Sequence, residues 1–113
     1  MALEHAKAGE IIEVRPLGAR LRESRTTTLA KTASLEVIRL VLPAGKEIPP
    51  HKVEGEVTVQ CLEGKVVFRV GESEMELAAG DLVYLASADE HALRAVEDSS
   101  LLVAILLKPT SVH

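Results

Sequence analysis

Apolar and polar residues alternate along most of this chain with a period of two, the spacing that places successive side chains on opposite faces of a β-strand. Many of the apolar residues are β-branched, which favours strands further. The segments with this pattern are residues 10–14, 25–30, 35–42, 57–63, 65–70, 73–77, 82–85, 91–96 and 101–107. Because they are short and separated by turn-forming residues, the pattern predicts an all-β sandwich or barrel.

Length and composition predict one domain around a single core. The chain has 113 residues, of which 47% are hydrophobic. Its longest apolar run, residues 101–107, is far shorter than a membrane-spanning helix and predicts a buried strand. The N-terminus lacks the pattern of a secretory signal, and the single cysteine, Cys61, has no partner for an internal disulfide. We therefore expect a cytoplasmic protein with no membrane partner.

The charge and the aromatic content argue against a nucleic-acid partner. The formal net charge is -4, no basic run is present, and the chain has one Phe, one Tyr and no Trp. Proteins that bind nucleic acids usually combine a basic surface with aromatic side chains that stack on the bases. A small molecule is therefore the expected ligand.

Two segments of the chain each combine a glycine turn, a strand pattern and one histidine. The first runs from Gly45 through His51 to Gly64, and the second runs from Gly80 to His91. Their spacing resembles the paired motifs of the cupin superfamily, in particular its small RmlC-like members. The resemblance implies the double-stranded β-helix of the cupins, a jelly-roll barrel in which both segments line one pocket.

The resemblance also implies a metal site, since cupins commonly hold a divalent transition metal such as Fe, Zn, Ni or Mn with three histidines and one glutamate. Only His51 and His91 match that ligand set here. Val53 and Val57 occupy the positions of a further histidine and of the glutamate, and valine cannot coordinate a metal. Ala86, Ala88 and Ala95 replace the proline, glycine and asparagine of the second motif. The resemblance therefore predicts a degenerate metal site.

Glu56 offers one way to complete the metal site. It lies one position before the expected glutamate and directly after Gly55. Simple alternation points Glu56 outward, but a β-bulge at Gly55 would shift the strand by one residue and turn the carboxylate toward the pocket. A metal held by His51, His91 and Glu56 is one hypothesis, and a carboxylate on the rim is the alternative.

Alternation also predicts the walls of the pocket. The predicted lining residues are Val53, Val57, Val59, Cys61, Leu93 and Arg39. Cys61 shares the parity of His51 but lies about 13 Å along the strand from Val57, too far to act beside that histidine. Arg39 is the only charge in residues 37–42 and could bind an anionic ligand, whereas an ion pair with Glu36 or a neighbouring strand is the alternative.

His51 and His91 are also candidate catalytic residues. A histidine in an apolar cavity stays neutral near pH 7 and can accept a proton as a general base. The resemblance supplies a precedent, because some metal-free cupin-like epimerases pair a histidine base with a tyrosine acid. Tyr84 is the single tyrosine of this chain, and its role as a packing residue is the alternative.

The leading hypothesis is a small-molecule-binding cupin with a degenerate metal site. The alternative is a metal-dependent cupin enzyme of the dioxygenase or isomerase type, using two histidines and a carboxylate, and a third hypothesis is a dimeric scaffold. Metal content separates the first two. Residues 34–107 are the predicted barrel core of the single domain 1–113, and residues 1–33 carry further strands that we expect to take part in the contacts of a homodimer.

Overall fold

A computed structural model describes residues 5–86 and 88–107, which fold into two antiparallel β-sheets packed face to face. The strands are β1 (Thr27–Lys31), β2 (Leu35–Leu42), β3 (Glu47–His51), β4 (Val57–Glu63), β5 (Lys65–Val70), β6 (Ser73–Ala78), β7 (Leu82–Leu85), β8 (His91–Ala95) and β9 (Ser99–Leu106). One sheet has the order β1-β2-β9-β4-β7 and the other β3-β8-β5-β6. The all-β prediction is confirmed.

The core lies between the two sheets, where the inward side chains of both meet. In the five-stranded sheet, Val103 of β9 pairs with Ile38 of β2 on one side and with Val59 of β4 on the other, so branched side chains cross three strands on the inner face. Phe68 of β5 is fully buried opposite them. Burying each such side chain contributes about 1.5–3 kcal/mol, so this shared inner face supplies the main stabilisation of the sandwich.

Strand β3 was not among the strands predicted by alternation. It contains Pro49 and Pro50, which cannot donate backbone hydrogen bonds and which the sequence indicates only as an extended approach to His51. The prolines are tolerated because β3 is the edge strand of its sheet and pairs with β8 alone. The pairing shifts register between Ile48 and His51.

The predicted strand at residues 10–14 is wrong. No strand forms there, and a short 3-10 helix, Gly18–Glu23, follows before β1. The physical reason is a side-chain interaction: the Arg39 guanidinium donates hydrogen bonds to the backbone oxygens of Glu13 and Arg15, at 3.1 and 2.8 Å. The Arg39 side chain therefore occupies backbone carbonyl groups that would otherwise pair with a neighbouring strand.

Glu63 fixes the next part of the same N-terminal segment. Its carboxylate accepts hydrogen bonds from the backbone N–H groups of Leu17 and Gly18 and from the Ser100 hydroxyl. Burial raises the pKa of Glu63, but these hydrogen bonds and the charge of Arg39 outweigh that effect and place the pKa below its ordinary value. Residues 13–18 thus bind to the sheet of their own chain. The predicted homodimer contacts of the N-terminal segment stay a prediction.

The turn between β4 and β5 depends on a glycine. Gly64 has φ +88°, and a Cβ atom at this position would lie 2.4 Å from the Asp98 oxygen and 2.2 Å from the Ser99 hydroxyl oxygen. Gly71, in the turn between β5 and β6, has φ +57° with open space around it. The two glycines share a left-handed backbone but differ in packing.

No helix in the described residues is long and apolar enough to cross a membrane.

Gly64→Ala should destabilise the fold much more than Gly71→Ala. The second substitution adds only the conformational cost of a left-handed alanine, about 1–2 kcal/mol, whereas the first also forces backbone atoms near Asp98 and Ser99 to move. Urea unfolding of both variants measures the difference in the free energy of unfolding. Equal losses in the two variants would contradict the packing described at Gly64.

Candidate functional site

The structure brings His51 and His91 together. His51 ends β3, His91 begins β8, and the two residues are direct partners across these antiparallel strands. Their ring centroids are 4.2 Å apart, with the ring planes inclined at 61°. His51 is exposed, whereas His91 is only 6% exposed. The pair therefore extends from the surface into the interior.

Both imidazole rings are held by the same kind of hydrogen bond. Nδ1 of His51 lies 3.0 Å from the backbone oxygen of Pro49, and Nδ1 of His91 lies 3.1 Å from that of Asp89. A carbonyl oxygen can only accept, so each Nδ1 carries the hydrogen and, in the neutral ring, Nε2 keeps a lone pair. Both rings therefore present an acceptor nitrogen.

Burial sets the charge of His91. Its ring stacks on Phe68, with centroids 5.8 Å apart and planes 7° from parallel. Burial lowers the pKa of His91 below its ordinary value; the hydrogen bond to Asp89 opposes this, and the neighbouring His51 lowers the pKa further. The neutral ring is therefore the stable form at pH 7.

The two histidines open onto an apolar cavity of about 180 Å³ between the sheets. Apart from the histidines, its walls are aliphatic or aromatic. The lining residues are Ile38, Leu40, Ile48, His51, Val53, Val57, Val59, Phe68, His91, Leu93, Val103 and Ile105. Val53 and Val57, which stand where the related motif has a histidine and a glutamate, are part of this wall. The site thus combines two imidazoles with a continuous hydrocarbon surface.

Glu56 and Tyr84 do not join the histidines. The Tyr84 hydroxyl donates a hydrogen bond of 2.5 Å to the Glu56 carboxylate, and both side chains are exposed on the outer face of the five-stranded sheet. Gly55 produces no inward turn of Glu56. Instead it lets the backbone just before β4 approach the end of β9, since a Cβ atom there would lie 1.8 Å from the Leu106 oxygen. Val57, not Glu56, points into the cavity.

Two of the predicted lining residues lie elsewhere. Cys61 is fully buried in the core beyond the cavity, and its thiol contacts the backbone oxygens of Glu63 and Gly64. Arg39 points to the outer face, because its neighbours Ile38 and Leu40 take the inward positions. Arg39 is not part of the cavity wall, and it binds the backbone of the N-terminal segment rather than Glu36, which pairs with Lys31.

The sequence pattern did not predict several of the lining residues. Phe68, Val103 and Ile105 belong to segments whose alternation was recognised, but their pairing with the histidine-bearing strands was unknown. The signal was present in residues 101–107, since an apolar run of this kind must be buried on at least one face. Which cavity it faces depends on the strand order, which a single sequence does not contain.

Ala88 links the two histidine-bearing loops under backbone strain. Its N–H donates a hydrogen bond of 3.0 Å to the oxygen of Val53, and its φ of +67° lies in the left-handed region that favours glycine. The related motif has glycine at this position. Ala88 therefore adopts a backbone conformation that favours glycine, the residue of the related motif.

The residues of this cavity do not fit a resident transition metal. Zinc and non-haem iron sites take three or more protein ligands, whereas this cavity offers two imidazoles beside valines. Within residues 5–86 and 88–107, no group of three or more His, Cys, Asp or Glu side chains could hold a metal ion. The chemistry available to the described residues is that of two imidazoles in a hydrocarbon cavity.

Comparison with known proteins identifies the same fold and family as the two sheets and the paired histidine segments indicate. The family model described as "Cupin domain" matches residues 38–107. A cupin superfamily protein from Desulfitobacterium hafniense is similar in structure, with a TM-score of 0.76, 17% identity and coverage of 91% of this chain and 100% of that chain. No curated protein matches the chain.

Two further solved structures are similar. A conserved protein of unknown function from Streptococcus pyogenes has a TM-score of 0.75 at 19% identity and covers 97% of both chains. A predicted oxalate decarboxylase from Thermotoga maritima has a TM-score of 0.67 at 25% identity, over 74% of this chain and 79% of that chain. These solved structures share the double-stranded β-helix fold with this chain. One of them is a protein of unknown function and another is a predicted enzyme.

Proposed function

This chain belongs to the cupin superfamily, and we propose that it is a small-molecule-binding member whose cavity takes an organic ligand in place of a resident metal. The observation that carries the proposal is the placement of Val53 and Val57. Both line the same cavity as His51 and His91, so two positions of the family's metal site are hydrocarbon. A cavity with apolar walls and few polar groups is the usual form of a small-molecule site.

The energetics of the cavity support an organic ligand. Its hydrocarbon walls give no compensation for the lost hydration of an ion, and burial of a charge without compensating partners is very unfavourable. An apolar ligand would gain about 25 cal/mol for each Å² of apolar surface removed from water. The walls therefore favour a molecule that is mostly hydrocarbon.

Filling the cavity should abolish the binding of a small apolar probe. Toluene should raise the melting temperature of the unmodified protein, and Val103→Phe should remove the effect because the larger ring occupies the cavity. Val67→Phe is the matched control, since Val67 alternates with Val66 and Phe68 and lies on the outer face of its sheet. Thermal unfolding with increasing toluene is the measurement.

Two results would contradict the binding proposal. One is a toluene effect of the same size in Val103→Phe and Val67→Phe, which would place the probe outside the cavity. The other is the lack of any stabilisation of the unmodified protein near the solubility limit of toluene. The melting temperatures without toluene show whether each variant folds.

A metal-dependent enzyme of the dioxygenase or isomerase type, using His51, Glu56 and His91, is the second candidate. The hydrogen bonds from each Nδ1 to a backbone carbonyl favour it, because metal-binding histidines are commonly oriented in this way. It requires Glu56 to leave its hydrogen bond with Tyr84 and to enter the cavity from the outer face of the sheet. That requirement makes it the weaker candidate.

Metal content separates the two candidates. Protein without an affinity tag, purified without chelator, equilibrated with Zn²⁺ or Ni²⁺ and then desalted, should retain far less than one equivalent of metal. Val53→His/Val57→Glu should retain about one equivalent, since it adds the two missing ligand types. Elemental analysis of both proteins is the measurement.

The opposite pattern would contradict the metal-free proposal and favour the metal-dependent candidate. It consists of about one equivalent of metal in the unmodified protein that is lost in Glu56→Gln and kept in Glu54→Gln. Glu54 is the matched control because it is exposed in the same loop. Circular dichroism of each variant shows whether the fold is retained.

A further inference from the structure

The size of the cavity limits the ligand that it can enclose. Apolar protein cavities of about 150 Å³ hold benzene. The cavity beside His51 and His91 has a volume of about 180 Å³, so it suits a compact molecule of roughly six to eight non-hydrogen atoms. A sugar nucleotide or a long chain would extend well outside it.

The walls determine the charge of that molecule. Among the described lining residues, only His51 and His91 carry polar side-chain atoms, and none carries a carboxylate, an ammonium or a guanidinium group. Neither an anion nor a cation would find a partner of opposite charge while His91 is neutral. The walls therefore favour a neutral ligand with one polar end.

The two rings determine what the polar end must be. Each Nδ1 hydrogen is already donated to a backbone oxygen, so only the Nε2 lone pairs remain for a ligand. Among the described residues, no fully buried side-chain nitrogen or oxygen lacks a hydrogen-bond partner. Within residues 5–86 and 88–107, Nε2 of His91 has no hydrogen-bond partner, so it faces the cavity and is not sealed in the core. Both nitrogens accept, and neither donates.

We propose that the cavity recognises a compact neutral molecule whose hydrocarbon body lies against Val59 and Val103 and whose single hydroxyl or N–H group donates a hydrogen bond to Nε2 of the histidine pair. Small phenols and small cyclic alcohols have this chemistry. The inference rests on the proposed small-molecule function and adds a requirement for a donor. A molecule of the same shape that has no donor, or whose oxygen can only accept, lacks the specific contact.

Three probes of similar shape test the donor requirement: phenol donates, toluene has no polar atom, and the oxygen of anisole only accepts. Dissociation constants are measured by NMR titration at pH 7.5 for the unmodified protein and for His51→Leu/His91→Leu. The double variant should weaken phenol binding relative to toluene binding by about fivefold or more, since a buried hydroxyl without a partner costs about 1–3 kcal/mol, and 1.4 kcal/mol is a factor of ten. The anisole-to-toluene ratio should stay within about threefold.

The outcomes separate two claims, the donor requirement and the small-molecule function. If toluene binds in the cavity and the phenol-to-toluene ratio is the same in both proteins, the donor requirement is wrong while the small-molecule function stands. If no probe binds the unmodified protein, the small-molecule function itself fails. His51→Leu alone, which changes an exposed residue, should reduce the phenol-to-toluene ratio in part, and it provides the comparison if the double variant does not fold.

Discussion

The site depends on one geometric constraint, the alternation of side chains along two sheets that face each other. Residues adjacent in sequence have opposite environments because of it. Val57 lines the cavity while Glu56 binds Tyr84 on the outer surface, and Ile38 lines the cavity while Arg39 points away from it. The chemistry of the cavity is therefore decided by which residue of each adjacent pair points inward.

Val53 and Val57, at two positions of the related metal motif, determine what the cavity can bind. The left-handed conformation at Ala88 and its hydrogen bond to Val53 link the two segments that carry His51 and His91. The cavity between these segments has two imidazoles in a hydrocarbon wall. Under the function proposed above, this arrangement binds a neutral ligand with one donor group.

Much of the fold could be predicted from the sequence because a period of two is a local property. Segments such as residues 35–42 and 65–70 form strands with the predicted bounds. Residues 10–14 have the same local pattern but no strand, because Arg39 binds the carbonyls of Glu13 and Arg15. Strand β3 was not predicted, because Pro49 and Pro50 argue against a strand. They are tolerated there only because β3 lies at the edge of its sheet.

The candidate site could be predicted only in part. Spacing alone led to His51 and His91, and alternation led to Val53 and Val57. The glycine before Glu56 was ambiguous, because a bulge and a close approach of two backbones both require glycine. The close approach to the Leu106 oxygen resolves that ambiguity only once β4 and β9 are known to be neighbours. The contribution of Phe68 likewise depends on strand order.

The most direct test of this account is the tautomeric state of the two rings, measured by long-range ¹H–¹⁵N correlation NMR at pH 8 on the ligand-free protein. His51 and His91 should both carry their hydrogen on Nδ1, leaving an unprotonated Nε2 toward the cavity. A His91 ring with its hydrogen on Nε2 would contradict it, since the buried ring would then offer a donor and could not accept a hydrogen bond from the proposed ligand.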